Sequence, residues 1–585
     1  MIRLRAFLSA ALVGAALLFP AVAAAQEKAK PNILIVLTDD QGYGDFSCHG
    51  NPIVKTPNLD KWHAKSVRFV DFHVAPMCTP TRGQLMSGRD AVRNGATSVT
   101  GGRAFMRPGL LTLPQFLRMF GYRTGLFDKW HLGDNYPHRP MDRGFQEAVY
   151  HQGWGMTAAP EFVGKLNDGR YFHNGAEKQF KGYMTDFWFD KATAWMKECQ
   201  AKKEPFFCYL PTNAPHAPHI VPGKYSAPYG KQKAANFFGM IANIDENIGR
   251  LEAFLQESGL AENTIVIFMT DNGGTAGVSI FNAGLRGGKT TFYEGGHRVP
   301  CWISWPAGTL AGKLSPPRDI DTPAQIQDLF PTLIDLCGAK APKDAGFDGT
   351  SLAGLLHGKD VKFGDRKMVV QYSRAKLTKY ESCVIWNQWR LVHGTELYDV
   401  RADRAQNNDL IAKHPDIAKK MKDHYEKWWA ELEPLSGKFV ATTIGSKEQP
   451  LTSLTSSDWQ DLYTDNAGHV SQAAGGPRGG VWQIDVETDG EYEIALRRWP
   501  RELDLPLSAG RNDKKSIALP VASAKVTIQG KTVSAKSLGK DAKEIVLRVT
   551  LQRGTTPMQA WFQNAEGADL AGAFYAYVRP VSAHR

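Results

Sequence analysis

Asn32-Ile-Leu-Ile-Val-Leu-Thr38 is an unbroken apolar run that ends in Asp39-Asp40-Gln41-Gly42. A run with no polar alternation predicts a strand buried on both faces, as in a parallel sheet. Thr264-Ile-Val-Ile-Phe-Met-Thr270 repeats the pattern and ends in Asp271-Asn272-Gly273-Gly274, after a helical stretch over Ala234–Ser258. Pro205–Leu210 and Val299–Trp305 read as further strands, Gln327–Cys337 as a helix, and Pro415–Leu432 as a Lys-rich amphipathic helix. This alternation predicts an α/β layered domain over residues 31–435, with a mostly parallel central sheet and helices on both faces.

Outward from that domain the texture changes. After about Ser436, short β-rich segments follow one another: Val481–Val486, Glu491–Arg497, Ala524–Gln529, Glu544–Leu551, Met558–Gln563 and Phe574–Arg579. Gly, Asn and Asp punctuate them, which predicts an appended antiparallel, β-sandwich-like domain over residues 450–585. At the other end, Arg3 and Arg5, the apolar Phe7–Phe19 and Ala23-Ala24-Ala25 read as a signal peptide over residues 1–25. It predicts an exported protein, periplasmic or secreted, and no later stretch is long and apolar enough for a membrane span.

The 585 residues exceed what one domain holds, at about 100–200 residues each. A composition of 43% hydrophobic and 22% charged residues supplies a large core. The net charge of +11 suits an anionic substrate, and no nucleic-acid motif or dense basic run accompanies it. Seven cysteines, an odd number, leave at least one without an intramolecular partner; Cys199 and Cys208 are the nearest pair in sequence for a bridge.

Both strong strands end in carboxylates. Ligands in open α/β sheets bind at the carboxyl ends of strands, so neighbouring strands would bring Asp39, Asp40, Asp271 and Asn272 to one point. An all-oxygen set of this kind fits a hard divalent cation, Ca²⁺ before Mg²⁺. The plainer reading is that Asp-Gly and Asn-Gly mark turns after strands. A third element is Pro76-Met-Cys-Thr-Pro-Thr-Arg-Gly83, where Cys78 stands just before Pro80 at a predicted helix start and Arg82 follows one turn on.

Cys78-Thr-Pro-Thr-Arg82 followed by Leu85-Met-Ser-Gly88 closely resembles the signature of the formylglycine-dependent sulfatases, the arylsulfatase-like type I family of the alkaline phosphatase superfamily. The resemblance continues in order over roughly residues 31–435: Pro31 to Asp40, Gly121 to His131, Asn213-Ala-Pro-His-Ala-Pro-His219, Thr270 to Gly274, Leu285-Arg-Gly-Gly-Lys289 and Glu294-Gly-Gly-His-Arg-Val-Pro300. Two positions depart from the family pattern. Asp128 stands where Gly is usual before Lys129, and Ser87-Gly88 stands where Thr-Gly is usual.

The resemblance implies an alkaline-phosphatase-like fold and hydrolysis of sulfate esters. It implies that a maturation enzyme oxidises Cys78 to formylglycine (3-oxoalanine), whose hydrate attacks sulfur with one hydroxyl and expels sulfate with the other. Asp39, Asp40, Asp271 and Asn272 would hold Ca²⁺ together with the modified Cys78. Arg82 would hold the diol, Lys129 and Lys289 the sulfate oxygens, His131 would assist collapse of the intermediate, and His216 would protonate the leaving alcohol. His138, His219 and His297 are further candidates for the pocket lining. In the C-terminal region Trp482, Trp499 and Trp561 could stack on sugar, and Arg497-Arg498-Trp499-Pro500-Arg501 could reach towards an anion. The expected substrate is a sulfated small molecule or glycan. Two other readings stay open: a phosphonate monoester or phosphodiester hydrolase of the same superfamily, and a secreted carbohydrate-binding protein with an inactive catalytic domain.

Overall fold

The computed structural model describes residues 30–155, 165–308, 314, 316–464, 466–472, 478–511 and 516–581. The expected signal peptide lies outside these residues. No helix among them is long and apolar enough to cross a membrane.

The chain is built on one large sheet. Its strands, in chain order, are β1 (Asn32–Thr38), β2 (Val67–His73), β3 (Arg123–Lys129), β4 (Glu147–His151), β5 (Arg170–His173), β6 (Ala176–Gln179), β7 (Phe206–Pro211), β8 (Thr264–Thr270), β9 (Arg298–Ser304), β10 (Arg318–Ile320) and the two-residue β11 (Ala324–Gln325), which pairs with β2 alongside β10. Across the sheet they lie in the order β10-β2-β9-β8-β1-β7-β3-β4-β5-β6. The five strands β8, β1, β7, β3 and β4 are mutually parallel, and β9 is antiparallel to both of its neighbours. β1 is at the middle, and all but its first residue are buried, which is why its sequence does not alternate.

Each face of the sheet has its own core. One gathers Ile33, Ile35 and Leu37 of β1 with Leu85, Leu329 and Leu333 from the helices Cys78–Ser87 and Leu329–Leu336. The other gathers Leu34 and Val36 with Trp188, Met196, Ile244 and Leu251 from the helices Met184–Ala201 and Ala235–Glu257. The period-2 alternation of β1 thus feeds two layers of helices, the α/β arrangement expected from the sequence.

A four-stranded antiparallel sheet over Met368–Gln371, Ser382–Trp386, Trp389–Val392 and Glu396–Asp399 packs beneath the helix Pro415–Ser436. The sequence reading did not separate it from the main layer. After it come two further sheets, of six and four strands, that enclose a common core of Trp482, Ile484, Tyr492, Ile494, Leu547 and Phe562. Their pairings are antiparallel except for Thr442–Ile444 against Val481–Val486.

Cys199 and Cys208, the nearest pair in sequence, form no bridge. All seven cysteines are unbridged, and these two are buried thiols of the core on the helix side of the sheet. Small buried hydrophobes are what unpaired cysteines usually are.

Candidate active site

Strand register starts the site. Thr38 of β1 lies opposite Thr270 of β8, so Asp39 and Asp271 leave the sheet side by side. The Asp271 N–H donates to the Thr38 carbonyl at 3.0 Å, and the Asp40 N–H reaches the Asp271 Oδ1 at 3.3 Å. On the other side β7 leads into Asn213 and His216, and β3 ends in Lys129. Four parallel neighbours therefore deliver their carboxyl ends to one place. Backbone closeness here demands glycine: a Cβ on Gly273 would come within 1.9 Å of the Gly295 carbonyl oxygen.

Cys78 is the first residue of the helix Cys78–Ser87, all ten residues of which are buried. Its Sγ lies 3.4 Å from Asp39 Oδ1 and 3.2 Å from the Lys289 ammonium. Arg82, one turn along, is fully buried and puts two donors on Asp271 Oδ2, at 2.8 and 3.2 Å. Its third donor goes to the Lys129 carbonyl at 3.0 Å. Lys129 is ion-paired with Asp39, and Lys289 with Asp40. His216 brings Nε2 to 3.6 Å from Asp40, while its other ring nitrogen donates to the Ala217 carbonyl at 2.7 Å. His131 completes the ring of groups, 5% exposed and with neither ring nitrogen hydrogen-bonded.

Three carboxylates thus face three permanent cations in a site shielded from water. Burial alone would raise Asp39, but Lys129, His216 and Arg82 hold it well below the usual carboxylate range. Asp271 goes the other way, pushed up to about 6 by burial and by the charge of Asp39, against the pull of Arg82. Burial and Asp39 also push the Cys78 thiol up, so the side chain is a neutral thiol and not a thiolate. Cysteine acts as a nucleophile only as the thiolate, so an unmodified Cys78 is disarmed here. Burial lowers His216 to about 4.

The donor set suits a hard divalent cation. Asp39 and Asp40 offer carboxylate oxygens that converge with Cys78 and His216 within 4.8 Å, and Asp271 adjoins them. Asn272 donates its amide to Asp40 at 2.9 Å, which leaves its buried Oδ1 without a hydrogen-bond partner. An orphaned buried amide oxygen among carboxylates is a ligand atom without a ligand. A dication would also relieve the crowding that raises Asp271.

Other candidates fall elsewhere. His297 is buried behind the site, its Nδ1 2.9 Å from Nδ1 of His73, beside Glu294, Asp71 and Arg390. His138 stacks on Phe105, and His219 packs edge-on against Phe237. Trp482 and Trp499 are core residues, 1% exposed, so they offer no face to a sugar. Arg498 is spent on the carbonyls of Ser471 and Ala509, and Arg497 on Glu544.

Sequence reasoning missed Trp154, whose ring stands against His216 with centroids 5.2 Å apart. Nothing in its Gly153-Trp-Gly155 context marks it. Asp128 has φ +105°, a conformation that favours glycine, and compensates by accepting the Asn213 N–H at 2.6 Å and facing His151 at 3.3 Å.

A sulfatase family model matches residues 31–339, the stretch that holds Asp39, Asp40, Cys78, Arg82, Lys129, His131, His216, Asp271, Asn272 and Lys289. The chain belongs to the sulfatase family. Human N-acetylgalactosamine-6-sulfatase is 32% identical over 352 residues, 56% of this chain and 66% of that one. The enzyme of the same name from Canis lupus familiaris is 31% identical over 393 residues, 62% of this chain and 74% of that one. The sulfatase chain therefore spans about two thirds to three quarters of the length of these relatives. Among solved structures, Ps i-CgsB in complex with k-i-k-neocarrahexaose is similar, with a TM-score of 0.62 and 29% identity, covering 68% of this chain and 92% of that one.

Proposed function

We propose that this sulfatase removes sulfate from a carbohydrate ester, with the nucleophile supplied by Cys78 after oxidation to formylglycine. The observation that carries the reading is the position of Cys78: its Sγ lies between Asp39 and the Lys289 ammonium, at the meeting point of three carboxylates and three cations. As a neutral thiol it has no reactivity of its own, which supports a role that begins after its conversion. A maturation enzyme would read the Cys78-Thr-Pro-Thr-Arg segment. The catalytic domain is residues 31–435 and the β-rich domain 450–585, in an exported protein.

Asp39, Asp40, Asp271 and Asn272 would hold Ca²⁺. Bound there, the ion supplies Lewis acidity towards the sulfate group and the nucleophile. The surrounding residues do the rest. Lys129 and Lys289 are placed to exchange their carboxylate partners for sulfate oxygens as the ester enters. Arg82, pinned by Asp271 and the Lys129 carbonyl, fixes the nucleophile's approach. His216 would give a proton from Nε2 to the departing oxygen, and His131, with both ring nitrogens unengaged, would take the proton when the second hydroxyl expels sulfate. Because burial holds His216 near 4, its proton is best retained when an anionic ester lies beside it.

The sugar assignment rests on relatives. The two mammalian enzymes above are named for a sulfated amino sugar, and the similar solved structure carries a neocarrahexaose. Trp154 beside His216 offers an aromatic face at the point where the ester oxygen would leave.

The experiment is a mass measurement of the tryptic peptide spanning residues 69–82. Conversion of Cys78 to formylglycine lowers its mass by about 18 Da, the exchange of a thiol for an aldehyde. Fully active protein with unmodified cysteine at this position would refute the nucleophile.

A further inference from the structure

A second group of metal-binding donors, distinct from the active-site cluster, lies on the segment that follows β1. Cys48 and His49 belong to the single turn Ser47–His49, and His63 stands on the helix Pro57–Lys65 that packs against it. The Cys48 thiol and one nitrogen from each imidazole converge within 4.8 Å of one another. All three residues are partly buried, so the site is sheltered yet open to an ion from solvent. Of the seven cysteines, Cys48 and Cys337 are the two that are not fully buried, and Cys48 is the one with imidazoles beside it.

The donors are held in place by their surroundings. His49 stacks on Tyr43 with centroids 4.1 Å apart, and Trp302 stands edge-on to both His49 and His63, at 5.7 and 5.2 Å. His49 Nδ1 donates to the Tyr43 carbonyl at 2.7 Å, which leaves Nε2 as the nitrogen a ligand can use. A backbone carbonyl on the far nitrogen is the usual outer partner of a metal-bound histidine. The His49 and His63 centroids are 5.6 Å apart. Two imidazoles sharing a tetrahedral Zn²⁺ through bonds of about 2.0–2.1 Å place their centroids roughly 5–6 Å apart, so the pair already has the required spacing. Asp60, one turn before His63, ties the turn to the helix. It accepts the Cys48 N–H at 3.0 Å and the Ser47 and Thr56 hydroxyls at 2.7 and 3.0 Å.

We infer that Cys48, His49 and His63 form a Zn²⁺ site, with a solvent water completing the tetrahedron. One sulfur and two imidazole nitrogens select a borderline-soft ion, unlike the oxygen donors of the active-site corner. Burial lowers His49 to about 4, and burial with the charge of Arg68 lowers His63, so both imidazoles are neutral ligands at neutral pH. Burial and Asp60 push the Cys48 thiol up, so it keeps its proton until an ion arrives. Coordination then forms the sulfur–zinc bond and sends that proton to solvent, one per ion. The dication, the thiolate and the Asp60 carboxylate together are electrically neutral. The ion fastens the chain leaving the Asp39-Asp40 corner to the helix Pro57–Lys65.

The test titrates the full-length protein, reduced and stripped of transition metals, with Co²⁺ and then Zn²⁺. Excess Ca²⁺ is present throughout to occupy the oxygen-rich corner. Co²⁺ should give a thiolate-to-cobalt charge-transfer band that saturates at one equivalent. Zn²⁺ should bleach that band, and Zn²⁺ added to metal-free protein should release one proton per ion and raise the unfolding temperature. Cys48→Ser should abolish the band. His63→Gln should weaken Zn²⁺ binding by about 10²-fold or more, at least the loss that removal of an outer partner causes. Cys78→Ala should keep both the band and the stoichiometry. A wild type without the band, a band that survives Cys48→Ser, or a band lost in Cys78→Ala overturns the site. Should Cys48→Ser fail to fold, His63→Gln decides: Zn²⁺ affinity unchanged in that variant overturns the site equally.

Discussion

As the proposed proton donor, His216 is where the chemistry of a sugar ester and that of an aryl ester should part company. An alkoxide is a far poorer leaving group than a nitrophenolate and needs its proton during bond cleavage. With Nδ1 committed to the Ala217 carbonyl, only Nε2 can supply it. His216→Ala should therefore lower kcat on a sulfated sugar by about 10²-fold or more and on an aryl sulfate much less. Equal losses on the two substrates would take His216 out of the acid role. Asp128 illustrates a different residue-scale lesson. The sequence marks it only as a departure from glycine, and the backbone at φ +105° gives the physical reason that glycine is usual there. Its carboxylate answers by accepting the Asn213 N–H and facing His151, contacts that depend on strands distant in sequence and cannot be read from its neighbours.

Strand ends decide how much of the site was legible. β1 and β8 are continuous apolar runs ending in carboxylates, so the carboxylate corner proposed to bind the metal can be read from them directly, and register completes it. β3 is less legible because Asp128 and Lys129, though part of the strand, look like a loop. β9 reads in sequence as one more strand, but its antiparallel direction follows from the Glu294–His297 turn that buttresses Gly273, a tertiary contact. The small sheet over Met368–Asp399 is short-stranded and merges into the α/β texture, so patterning gave no boundary. The element-scale prediction concerns the corner itself. Ca²⁺ should raise the unfolding temperature of metal-stripped protein, and chelation should abolish turnover. Asp271→Ala should erase the thermal response as well as activity. A metal-stripped sample of unchanged melting temperature and full activity would contradict the assigned ligands.

At the scale of the whole molecule, the seam between the domains is held by polar contacts and also carries a strained charge. Asp458 is raised to about 7 by burial and Asp134, so its ionised form is disfavoured in the fold. Such a carboxyl costs nothing below its unfolded value near 4; the cost grows as pH rises through about 7 and stays constant above. Asp458→Asn should therefore stabilise the protein on the order of 2 kcal/mol at pH 8, partial solvent access trimming the full effect, and leave it unchanged near pH 4. Thermal melts at the two pH values check this; equal shifts at both would remove the charge argument. The sequence disclosed the β-rich domain through its turn residues and alternation, but not that its first segment meets the preceding domain where Asn135 donates to the Ser453 carbonyl. That contact joins positions over three hundred residues apart, and Trp482, Trp499 and Arg498, the residues that looked most capable of binding, are consumed by packing.

In the proposed mechanism, sulfate ester hydrolysis by this chain runs through residue 78. It is tested most directly by quantifying inorganic sulfate released from monosulfated sugars by purified mature enzyme, alongside a phosphonate monoester of matched leaving group and a Cys78→Ala control. Sulfate release is expected to exceed phosphonate cleavage and to vanish in the control. Faster turnover of the phosphonate, or sulfate release undiminished in Cys78→Ala, would contradict it.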